Sequence, residues 1–99
     1  MKRYVRSDTV PAKNSNATAI AKEVFGKWYT EDPCARIFKQ STGYAVKYYA
    51  DTEEQAYRLL DRMEKAADEF GIPVVKSFTK VGFLGSAPFY VACVVVPAA

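Results

Sequence analysis

Residues 51–71 read DTEEQAYRLLDRMEKAADEFG, and the rest of the chain has to be arranged around them. Ala56, Leu59, Leu60, Met63, Ala67 and Phe70 recur at intervals of three and four, which sets them on one side of an α-helix. Thr52 and Gln55 stand in capping-box spacing, so two backbone N–H groups left over at the start can be satisfied reciprocally. Asp51, Glu53 and Glu54 crowd the first turn, where the helix dipole favours acids. Gly71 suits the left-handed position past the last turn, and Pro73 stops any continuation. Glu54 with Arg58 and Asp61 with Lys65 add favourable i,i+4 pairs. These signals predict an amphipathic helix over 53–70, which must bury its apolar stripe on a neighbouring layer.

Strand-like segments on both sides supply that layer. Residues 35–40 and 44–50 are β-rich and joined by Ser41-Thr42-Gly43, a hairpin signal. Residues 74–83 and 89–96 form a second pair, linked by Leu84-Gly85-Ser86-Ala87-Pro88. The run Phe89–Val96 is almost continuously apolar, as in a central strand shielded on both faces. Upstream, Ala17, Ile20, Ala21, Val24 and Trp28 share a helical face, and Asn16 can cap it, which predicts a shorter helix over 17–28. Gly26 inside that pattern marks a place to end or bend. The expected fold is therefore α+β: a single domain with a four-stranded, mostly antiparallel sheet made of hairpins 35–50 and 74–96. Helices 53–70 and 17–28 pack on one face. A crossover between neighbouring parallel strands would be right-handed.

Ninety-nine residues, 49% hydrophobic and 25% charged, support one folded core, so residues 1–99 are read as one domain. Residues 1–15 mix Lys2, Arg3 and Arg6 with breakers and are read as a basic arm. The net charge of +3 is too small to imply a nucleic-acid or membrane partner by itself. Its distribution is uneven: residues 51–70 carry −4, whereas 1–30 carry +4 and 71–99 carry +2. Nothing approaches the roughly 18 apolar residues of a membrane span. The start MKRYVRSDTV lacks the apolar stretch of a signal peptide, so a reduced, cytoplasmic setting with Cys34 and Cys93 free is the expectation.

Histidine is absent, which removes the commonest general base, the commonest metal ligand and every Ser-His or Cys-His nucleophile. No phosphate-binding glycine motif occurs. Ser77-Phe78-Thr79-Lys80 matches the S-x-x-K pattern of acyl-enzymes, but in a strand residues three apart point to opposite faces. The paired acids Glu53/Glu54, Asp61/Glu64 and Asp68/Glu69 read as a solvated helix surface. No catalytic residue, cofactor or metal site is expected, and the chain is read as no enzyme.

One constellation has physical content. If the helices cover one face, alternate residues Lys47 and Tyr49, then Lys76, Phe78 and Lys80, then Tyr90, interleave cations with rings on the other. Arg36 and Phe38 extend it. Such a surface stacks unpaired bases while ammonium groups meet phosphates. The same residues equally read as a solubilised sheet, with Lys discouraging edge pairing and rings stabilising strand pairs. The leading expectation is a small binding module that recognises a protein partner as inhibitor or adaptor, the kind of chain mobile elements encode to block host machinery. The alternative is single-stranded nucleic-acid binding on the basic, aromatic face. A homodimer through a sheet edge or face is compatible with both, and no membrane partner is expected.

Overall fold

The computed structural model describes residues 15–98, and the basic arm expected over 1–15 falls almost wholly outside them. The order is α1 (Ser15–Phe25), a 3-10 turn (Tyr29–Glu31), β1 (Ala35–Gln40), β2 (Gly43–Ala50), α2 (Glu53–Glu69), β3 (Lys76–Leu84) and β4 (Ala87–Val96).

α2 forms where its pattern demands. Thr52 Oγ1 accepts from the Gln55 N–H at 3.1 Å, while Gln55 Oε1 accepts from the Asp51 N–H at 3.2 Å, one residue before the expected donor. At the other end Ile72 N–H reaches Ala67 O and Gly71 N–H reaches Asp68 O, with Gly71 at φ 69. That is a complete Schellman ending. The buried stripe is Ala56, Leu59, Met63, Ala66 and Ala67, with Leu60 packed at its margin. Phe70, expected in the stripe, is exposed because the helix has already turned over at that point.

α1 is shorter than its apolar spacing suggests. Gly26 adopts φ 94 and its N–H bonds Lys22 O, a left-handed cap that ends the helix. Trp28 is thereby cut off from the stripe and stands 67% exposed. Asn16 lies inside the helix rather than capping it, and its side-chain N–H donates to Pro97 O at 2.9 Å. Arg62 of α2 donates to Val24 O at 3.1 Å, satisfying a carbonyl at the end of α1.

The sheet runs β1-β2-β4-β3, with every neighbouring pair antiparallel. α2 connects β2 to β3, and β4 slots between those two, so no crossover joins neighbouring parallel strands. Both hairpin loops are tighter than expected. Gln40 already faces Gly43, and Leu84 already faces Ala87 across Gly85-Ser86. Gly43 belongs to the strand opposite Gln40, and only glycine fits there because a Cβ would lie 2.0 Å from Val96 O. Both helices cover one face, where Ile20, Met63, Val46, Val94 and Val96 make the centre of the core.

Candidate functional site

Strand alternation assigns the face turned away from the helices. The pairing registers arrange it in rows. Arg36, Lys47, Cys93 and Phe78 form one, and Phe38, Ala45, Val95 and Lys76 the next. On the other side come Tyr49, Val91 and Lys80, then Phe89 and Gly82. Four cations and four rings thus share one surface, and the four strands contain no Asp or Glu at all.

The cations lie against the rings. Arg36 Cζ is 5.5 Å from the Tyr49 ring centre, Lys47 Nζ 5.3 Å from Phe38 and Lys76 Nζ 5.9 Å from Phe78. Each such contact contributes about 0.5–1 kcal/mol at a solvated site. Tyr49 and Phe89 add a tilted ring pair at 5.8 Å. Beneath them Ala45, Cys93 and Val95 are buried, with Phe78 packed over them. Among the described residues, the Phe78 side chain rather than a helix closes this small second core.

Six of the seven residues singled out from the sequence are brought together here: Arg36, Lys47, Tyr49, Lys76, Phe78 and Lys80. Tyr90 is not. It faces Ala50 and Val81 and packs with the helix-side core. Phe89 takes its place on the outer face, with its ring across Gly82, where a Cβ would lie 2.5 Å from Cζ. The missed signal is the Gly85-Ser86 pair, a two-residue hairpin loop that sets Gly82 opposite Phe89.

Burial pushes the Cys93 thiol above its ordinary range, although Lys47, Lys76 and Lys80 all pull the other way. The thiol is therefore protonated and uncharged at neutral pH. At the far end of β1, burial and then the charges of Asp32 and Asp51 likewise raise Cys34. Both cysteines are free thiols. On the helix side Tyr48 donates to Asp32 Oδ2 at 3.1 Å, and burial with that carboxylate raises its hydroxyl to about 12.

Among the described residues, no three His, Cys, Asp or Glu side chains gather as a metal site. The acids of α2 are exposed, except for Glu64, whose carboxylate accepts from Ser77 Oγ at 2.6 Å. No described helix is long and apolar enough to cross a membrane. No family model matches the chain, and neither does any curated protein or solved structure.

Proposed function

We propose that the chain is a non-enzymatic binding module and that its outer sheet face takes single-stranded nucleic acid. The observation that carries this reading is the composition of that face: Arg36, Lys47, Lys76 and Lys80 beside Phe38, Tyr49, Phe78 and Phe89, with no carboxylate on any strand. A single sign of charge also serves solubility, but solubility alone does not call for rings set among the cations. A polyanion with flat bases uses both components, since phosphates meet ammonium groups and bases stack on rings. The test is fluorescence anisotropy with a labelled oligothymidine of about 12 nucleotides, within the usual site sizes. With three to four phosphates engaged, the logarithm of affinity should fall with the logarithm of salt at a slope of about −2 to −3. Lys47→Glu with Lys76→Glu should weaken binding at least tenfold. Affinity untouched by salt and by that double substitution would end the proposal.

A second reading, a protein-binding inhibitor or adaptor, draws on a different observation. Trp28 is 67% exposed on the loop after α1, with Lys27 Nζ 5.3 Å from its ring. An exposed Trp is a typical anchor in protein interfaces. Binding through it would be lost in Trp28→Ala and would survive the charge reversals on the sheet.

A further inference from the structure

Among the described residues, β3 is an edge strand that pairs with β4 alone. Its distal half leaves three large apolar side chains in solvent: Val81 at 50%, Phe83 at 65% and Leu84 at 78% exposed. β2 ends at Ala50, opposite Tyr90, so the ribbon from Gly82 to Phe89 extends beyond the middle of the sheet. Tyr57, 55% exposed, stands two helical turns before Glu64 on the same flank of α2, and Glu64 holds Ser77 of β3. Because α2 follows Ala50, its first turns lie toward the Val81 end. Val81 and Phe83 therefore form an apolar border on β3, whose outer edge has no partner among the described residues, and helical spacing sets Tyr57 on the flank of α2 that Glu64 turns to β3.

We infer that this border seats a second copy of the chain, with β3 pairing antiparallel to β3 about a two-fold axis at Val81. The register is what selects the occupant. An axis at Val81 places Val81 opposite Val81 of the second copy, Thr79 opposite Phe83, Phe78 opposite Leu84 and Lys80 opposite Gly82. Every exposed apolar side chain of the strand then meets another side chain. Lys80, which has no ion-pair or ring partner among the described residues, arrives beside the glycine that the Phe89 ring overlies. Lys76 falls outside the overlap. Other axes fit worse. One at Lys80 sets two ammonium groups directly opposite each other, which is destabilising. One at Thr79 leaves Phe83 and Leu84 with no residue of β3 facing them, and one at Gly82 shortens the overlap to Lys80–Leu84. The pairing joins two four-stranded sheets into one and makes the two basic outer faces continuous. It stands whether or not those faces bind nucleic acid.

Sedimentation of the full chain under reducing conditions, from about 1 μM to about 1 mM, covers the affinities a short strand seam can give. The expected mass rises from 11.0 kDa toward twice that value. Val81→Glu should leave a monomer across the range with an unchanged circular dichroism spectrum. Leu84→Lys, at a more exposed position, should weaken association at least tenfold and guards against a folding defect in the first variant. After oxidation, Val81→Cys should form a covalent dimer and Thr79→Cys should not, with the wild-type chain reporting any link through Cys34. A monomeric mass up to about 1 mM, a dimer indifferent to both charge insertions, or cross-linking through Thr79→Cys instead of Val81→Cys would overturn the inference.

Discussion

β4 has two sides that are buried by different means. On one, Ala92, Val94 and Val96 lie under α1 and α2 in a core that includes Ile20 and Met63. On the other, Val91, Cys93 and Val95 are just as dry, yet the described cover is side chain, chiefly Phe78 over Cys93 and Val95. A helix roof is committed to its place by backbone hydrogen bonds and a long stripe of contacts. A roof of rings and lysine stems can be rearranged residue by residue. The first side stores stability, and the second is the side on which the proposed ligand would displace contacts.

The contrast can be broken most forcefully from the helix side. Met63→Ala should cost about 2–5 kcal/mol, the range for a fully buried methionine, and urea unfolding would read it. A loss near zero would mean that the helix roof is not the principal core. Phe78→Ala should cost less, about 1–2 kcal/mol, because the ring is only half buried. Its sharper signature is chemical: Cys93 in the folded protein should react with a thiol reagent much faster than in wild type, whereas Met63→Ala should expose it only through global unfolding.

Tyr48 sharpens the picture at the border between α1 and the sheet. Its hydroxyl is held protonated by burial and by Asp32, with its pKa raised from 10 to about 12. A group whose folded pKa is raised adds stability that is fully present below the unfolded value and lost as pH climbs through the folded one. The stability difference between wild type and Tyr48→Phe should therefore be steady up to about pH 10 and shrink between 10 and 12. The hydrogen bond itself contributes about 1 kcal/mol, measurable by the same variant at neutral pH. The smallest effect belongs to the solvated back of α2. Arg58 and Glu54 pair at 3.4 Å with both side chains largely in water, so Arg58→Ala should change stability by no more than about 0.5 kcal/mol.

How far the sequence could be read depended on whether its pattern had a period. α2 carried a stripe, a cap at Thr52 and a glycine stop at Gly71, and each local signal agreed with the others. The two hairpins and the α+β class were legible for the same reason. Phe89–Val96 was recognisable as a central strand, but a run that is apolar at every position has no alternation, so which residues face outward could not be read from it. That is why the run does not show that Tyr90 turns to the helices and Phe89 to the outer face. Apolar spacing alone carries helix α1 on to Trp28, while Gly26 decides the ending through a conformation that spacing does not report.

By itself, then, the chain's local chemistry determined its elements and their order: caps, turn residues and periodicity act within a few positions of one another. The strand order β1-β2-β4-β3, the loop lengths and the register that gathers Arg36, Lys47, Lys76 and Lys80 on one face came only with the tertiary structure. Those are agreements between segments far apart in sequence. Shifting one strand by a single residue would turn that strand's cations to the opposite face, and only long-range pairing resists such a slip.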